Sequence, residues 1–277
     1  MTINNKPIGR RNFLKTLGGS VVAASTLLTG CSSNESKSIL SSTHQKGTGK
    51  MTYRKDVHGT DVSLLCFGCM RFPTIKGDSG RENANNDLDQ EEINRMVDHA
   101  IENGVNLFDT SPAYCQGRSE KALGIALSRH DRSKFLVSTK MSNFGNFTRE
   151  ASIEMYNNSF KELQVDYIDY YLLHSVGGGE DAMAYFEDRY IKNGMLDFLL
   201  NERKAGRIRN LGFSYHGDIR IFDYLLSRHD EIKWDFVLIQ LNYVDWKHAK
   251  KINPSNTNAE SLYSEIEKSG IPGLEME

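Results

Sequence analysis

Four residues capable of acid–base chemistry recur at nearly even intervals: Asp109, Tyr114, Lys140 and His174. Asp109 closes the run Asn106-Leu107-Phe108-Asp109. Lys140 closes Leu136-Val137-Ser138-Thr139-Lys140, and His174 closes Tyr170-Tyr171-Leu172-Leu173-His174. The steps from Asp109 to Lys140 and from Lys140 to His174 are 31 and 34 residues, each near the length of one β–α repeat. Tyr114 follows Asp109 in the next loop. Each residue alone has an ordinary reading: a helix cap, a packed ring, a solvated ammonium, a satisfied core imidazole. Together they make chemical sense. A phenol with a pKa near 10 is a poor acid–base catalyst at neutral pH. A neighbouring Lys cation favours the phenolate and is expected to lower that pKa. A carboxylate holds the Lys, and the His orients a substrate oxygen. The set is suited to placing a proton on a carbonyl oxygen. The sequence offers no metal-ligand cluster and no activated Ser or Cys. Side chains cannot supply a hydride, so a reduction implies a nicotinamide cofactor.

These residues must be positioned by the elements around them. From Met51 onward, short apolar runs alternate with amphipathic stretches. Strands are expected at Val62–Gly68, Val105–Phe108, Lys134–Thr139, Ile168–Leu173, Ile208–Phe213, Phe236–Leu241 and from Ile271. Helices are expected at Glu91–Asn103, Arg118–Arg129, Arg149–Leu163, a long stretch ending at Lys204-Ala205-Gly206, Ile219–Ser227 and Ala259–Lys268. Asp89 with Glu92 reads as a capping box for the first helix. Strands alternating with helices pair in parallel through right-handed crossovers. An open doubly wound sheet and a (β/α)8 TIM barrel both fit. No Gly-x-Gly-x-x-Gly follows the first strand, and a polar residue stands at successive strand ends, which favours the barrel. Gly177-Gly178-Gly179 is weak evidence for anything. Cys66 and Cys69 form a lone Cys-x2-Cys and read as buried barrel cysteines.

Composition and charge set limits. The 277 residues are 39% hydrophobic and 25% charged, with a net charge of −2, so neither a disordered chain nor a nucleic-acid-binding surface is indicated. No long uncharged apolar run spans a bilayer. Residues 1–30 read as an address and not as fold. Arg10-Arg11-Asn12-Phe13-Leu14-Lys15 precedes an uncharged run from Thr16 to Gly30, which ends in Leu28-Thr29-Gly30-Cys31. The first part resembles a twin-arginine export signal, and the last resembles the lipobox of bacterial lipoproteins, with Cys31 the lipidated residue. Residues 31–50 read as a flexible tether, and residues 51–277 as the barrel. The expected location is therefore the cell envelope, with a lipid anchor in the membrane.

The stretches Val62–Met70, Asn103–Gly124, Ser138-Thr139-Lys140, Asp166–His174 and Gly206–Ser214 resemble the aldo-keto reductase superfamily. The resemblance implies an NADP(H)-dependent oxidoreductase that reduces a small aldehyde or ketone to an alcohol. Tyr114 would be the general acid, Lys140 and Asp109 its tuning pair, and His174 the substrate-orienting residue. Ser214 and Gln240 lie where the family binds the nicotinamide carboxamide, and Tyr215 stands where many members have Asn. Phe213-Ser214-Tyr215-His216-Gly217 and Gln240-Leu241-Asn242-Tyr243 look most like an exported bacterial branch that continues into a C-terminal iron–sulfur domain. No cysteine follows Cys115, so no such cluster is expected in this chain. The family's eighth unit is absent after the seventh strand, and the barrel is expected to be truncated. The competing reading is a catalytically impaired nucleotide-binding barrel from a shortened gene product. The expected partners are a small carbonyl compound and the membrane, without nucleic acid; a redox partner is left open.

Overall fold

The computed structural model describes residues 50–81, 85–251, 254 and 256–276. The expected signal peptide, Cys31 and nearly all of the expected tether lie outside the described residues. The first element among the described residues is an antiparallel hairpin of β1 (Tyr53–Lys55) and β2 (Asp61–Ser63). Seven strands then form one parallel sheet in chain order: β3 (Cys66–Gly68), β4 (Leu107–Asp109), β5 (Leu136–Met141), β6 (Ile168–Val176), β7 (Ile208–Tyr215), β8 (Phe236–Gln240) and β9 (Gly273–Met276). A doubly wound sheet reverses its strand order at a switch point; this one never does, which is the barrel's arrangement. The helices are α1 (Gln90–Glu102), α2 (Ser119–Leu127), α3 (Arg149–Leu163), α4 (Ala182–Phe186), α5 (Met195–Lys204), α6 (Ile219–Ser227), α7 (His229–Ile232), α8 (Tyr243–His248) and α9 (Ala259–Ser269). No helix among the described residues is long and apolar enough to cross a membrane.

Both faces of the sheet carry buried side chains. Its convex face packs under helices, with Ile93, Val97, Leu123 and Val137 in one cluster and Leu199, Leu211, Phe222 and Val237 in another. The concave face is lined by Leu107, Leu136, Tyr170, Leu172, Phe236 and Leu238. Residues alternate between the two faces along each strand, because strand side chains have a period of two. The Tyr170 and Phe236 rings, from β6 and β8, meet edge-on at 5.3 Å. Gly212 of β7 lies between these strands. A Cβ there would meet the Phe236 ring at 2.8 Å and its carbonyl oxygen closer still, so the sheet can curl only over a glycine. Burying each of these large side chains contributes about 1.5–3 kcal/mol.

Several boundaries differ from the expectation. Val62–Gly68 is not one strand. Ser63 donates its N–H to Asn106 Oδ1 (2.8 Å) and its hydroxyl to Leu65 O (2.7 Å), so the chain turns there and only Cys66–Gly68 joins the barrel sheet. Cys66 is exposed and not buried, while Cys69 and Cys115 are buried. The long helical stretch is broken into α4, one π turn over Glu187–Ile191, and α5. Asn193 interrupts it: its amide donates to Phe147 O (2.7 Å) and accepts from Met195 N–H (3.0 Å). Asp89 caps α1 through Glu92 N–H (2.9 Å), but the Glu92 carboxylate turns to Arg95 instead of closing the box. β6 runs on to Val176 with a register shift after Leu173, which sets His174 inside the strand near its C-terminal end.

Candidate active site

Asp109 and Lys140 stand at the same end of adjacent strands. Lys140 has no exposed surface, and its Nζ donates to Asp109 Oδ2 (2.6 Å) and to Thr110 O (2.8 Å). Ser138 of β5 donates its hydroxyl to the other Asp109 oxygen (2.7 Å). Taking an ammonium out of water is costly unless its protons are used; here a carboxylate and a carbonyl take two of them. Burial pulls the Lys140 pKa down, but Asp109, and then Tyr114, outweigh it and hold the group above its usual value. Lys140 is therefore a fixed cation at neutral pH.

Tyr114 opens a tight turn after β4. The next two residues, Cys115 and Gln116, have φ of 50° and 57°, a region non-glycine residues seldom occupy. Arg118 Nε holds the turn from Cys115 O (2.8 Å). The turn sets the Tyr114 ring against the site: Lys140 Nζ lies 4.6 Å from its centroid, and the His174 ring meets it edge-on at 5.8 Å. Burial raises the Tyr114 pKa, and Lys140 only partly opposes it. The expected net lowering is thus not found in the free protein. Desolvation of the phenolate exceeds the attraction of a cation that Asp109 already engages.

His174 is 8% exposed, and its pKa is well below the ordinary value, first through burial and then through Lys140, His216 and Arg189. Its imidazole is neutral at pH 7. Its Nδ1 meets Ser142 Oγ at 2.6 Å, and Ser142 Oγ meets Ser111 Oγ at 2.7 Å. Ala113 N–H donates to Ser111 Oγ (3.1 Å), which itself lies 3.3 Å from Nδ1, and Ser142 Oγ lies 3.3 Å from Lys140 O. Along the shortest contacts, Ser111 can donate to Ser142 and Ser142 to Nδ1. That order leaves the proton on Nε2, free to donate to a substrate oxygen. Ser111 and Ser142 were missed from the sequence. The signal was there: each lies two residues after a predicted site residue, Asp109 and Lys140.

The structure brings Asp109, Tyr114, Lys140 and His174 together on one rim. Ser214 is fully buried; its hydroxyl accepts Ser175 N–H of β6 (2.8 Å), so it braces the neighbouring strand. Gln240 is half-buried at the end of β8, and its amide has no protein partner among the described residues. Tyr215 is turned into the core against Phe222 and donates its hydroxyl to Gly217 O, so it does not take the place of a rim amide. Phe144, partly exposed, packs on His174 at 5.0 Å and walls the site. Among the described residues no group of three or more His, Cys, Asp or Glu side chains could hold a metal ion.

The family model of the aldo/keto reductase family matches residues 64–261, and the chain belongs to that family. It is similar to the aldo-keto reductase YhdN of Bacillus subtilis, 33% identical over 42% of this chain and 34% of the relative. It is also similar to L-galactose dehydrogenase of Arabidopsis thaliana (27%, over 67% and 54%) and to methylglyoxal reductase DkgA of Escherichia coli O157:H7 (32%, over 48% and 45%). The chain spans between 34% and 57% of the length of these relatives and others like them. Among solved structures, the holo form of aldo-keto reductase AKR11C1 from Bacillus halodurans superposes with a TM-score of 0.60 at 25% identity, over 81% of this chain and 65% of that one. The Bombyx mori aldo-keto reductase AKR2E4, in complex with NADP, shares the fold with a TM-score of 0.56 at 23% identity, over 82% and 66%.

Proposed function

We propose that this chain reduces the carbonyl group of a small aldehyde or ketone with NADP(H), and that Tyr114 delivers the proton. The observation that carries the reading is the buried Asp109–Lys140 pair beside Tyr114, with a neutral His174 edge-on to the same ring. His174 Nε2–H would hold the substrate oxygen next to the phenol. Tyr114 is protonated at neutral pH and can donate. As its proton leaves, Lys140 stabilises the forming phenolate, and Asp109 keeps Lys140 in place. The Gln240 amide, without a protein partner among the described residues, fits the carboxamide of a nicotinamide, and Ser214 would hold the ends of β6 and β7 in position. NADP(H), when bound, supplies the hydride. The reading is supported by the relatives named as reductases and dehydrogenases and by the NADP complex of AKR2E4.

We further infer from residues 9–31 that the protein is exported by the twin-arginine route and anchored through a lipidated Cys31, with residues 31–50 as tether. The 213–217 and 240–243 segments favour the exported bacterial branch of the family. The test of the activity is NADPH consumption by the full chain with a panel of small aldehydes and ketones, with the alcohol identified by mass. Consumption that depends on the carbonyl and yields the alcohol supports the reading. Tight NADPH binding with no turnover on any carbonyl would overturn it.

A further inference from the structure

Behind His174 lies a charged side chain that the mechanism above does not use. Arg189 is 1% exposed and sits on the π turn Glu187–Ile191, where Lys192 N–H reaches back to Glu187 O (2.8 Å). Such turns concentrate at functional sites. Its side chain is a guanidinium cation, yet its partners among the described residues are all neutral. Nη2 faces His174 O (2.9 Å), Met141 O (3.3 Å) and Tyr190 Oη (2.7 Å), and Nε donates to Asn143 Oδ1 (3.2 Å). The Phe144 and Tyr185 rings lie 4.7 Å and 5.1 Å from its Cζ. A buried cation without a counter-ion costs stability, so its place needs another reason.

The contacts supply one. Met141 and His174 are at the ends of β5 and β6, the strands that carry Lys140 and His174. One guanidinium bonds both, and Tyr190 doubles the link by accepting His174 N–H (3.0 Å) and donating to Met141 O (3.1 Å). Phe144 packs on the guanidinium and on the imidazole alike. We propose that Arg189 is a positioning residue: it clamps the ends of β5 and β6, and with Phe144 it fixes the His174 imidazole at the rim in its neutral form. The groups facing that imidazole come from every neighbouring element: Tyr114 from the loop after β4, Lys140 from β5, His216 from the turn after β7, and Arg189 with Tyr190 from the π turn. Three of these, Lys140, His216 and Arg189, oppose a positive charge on the ring.

The test is a pH titration of the His174 ring signals by NMR in the full chain, as parent, Arg189→Met and Arg189→Lys, alongside kcat and KM. The kinetic arm rests on the reductase reading; the titration does not. In the parent His174 stays neutral well below the ordinary histidine range. Arg189→Met moves its titration upward and lowers kcat about tenfold with little change in KM for NADPH. Arg189→Lys keeps the charge but loses the fork: the titration stays low while the ring shift moves and kcat falls. If Arg189→Met does not fold, the Lys variant decides. A parental titration and kcat in the folded Met variant, or a parental ring shift and kcat in the Lys variant, with loss of thermal stability only, would overturn the proposal. A parent that turns over no carbonyl refutes the reductase reading, and the titration still decides the role of Arg189.

Discussion

Replacing Asp109 by Asn removes one charge from a buried pair and changes almost no volume. Lys140 is wholly buried and Asp109 is 20% exposed, with Nζ–Oδ2 at 2.6 Å. Losing one partner of a buried pair costs about 3–5 kcal/mol, because the remaining charge is stranded. The partial exposure of Asp109 puts the expected cost near the lower end, about 3 kcal/mol. At about 2–4 °C per kcal/mol for a chain of this size, the melting temperature should fall by roughly 6–12 °C. The raised Lys140 pKa sets the pH window: the pair's contribution is fully present below the unfolded value of 10.5 and is lost as pH rises through the higher folded value. The cost should therefore be constant from neutral pH up to that point. The assay is urea unfolding of the parent, Asp109→Asn, Lys140→Met and the double variant. In the Lys140→Met background, Asp109→Asn should cost under about 1 kcal/mol, since no ammonium is left unpaired. Equal costs in the two backgrounds would refute the reasoning.

Three further outcomes follow from the same structure. Glu120, 5% exposed in the first turn of α2, is pushed by burial to about 7 from 4.5, although Thr139 donates to it (2.6 Å). A raised carboxyl pKa stabilises below the unfolded value, so stability should fall by about 3 kcal/mol as pH rises from 4.5 to 7; Glu120→Gln should abolish that slope in a pH series of unfolding curves. Ser142→Ala removes the nearer of the two hydroxyls at His174 Nδ1 and should lower kcat about tenfold, the equivalent of one hydrogen bond, without weakening NADPH binding measured by fluorescence. Mass spectrometry of the membrane fraction should find a lipidated Cys31 as the first residue; an intact Met1 on soluble protein would contradict it.

The repeat of strand and helix was legible because each strand is a short apolar run and each helix shows its period. Asp109, Lys140 and His174 were legible for the same reason: strand ends can be counted. What escaped was set by partners distant in sequence. Val62–Gly68 looks continuous until Asn106 reaches across to Ser63. The pKa of Tyr114 depends on how deeply the ring is buried, which spacing does not encode. Arg189 lies in a stretch that reads as plain helix, and its meaning comes from carbonyls at Met141 and His174, 48 and 15 residues away.

The most direct test of the central claim is single-turnover NADPH oxidation by Tyr114→Phe beside the parent, with the NADPH dissociation constant measured for both. A general acid contributes about 10²–10⁴ in rate. The account predicts a loss of at least about a hundredfold in the chemical step with NADPH affinity unchanged. A rate within a few fold of the parent would show that the proton comes from elsewhere.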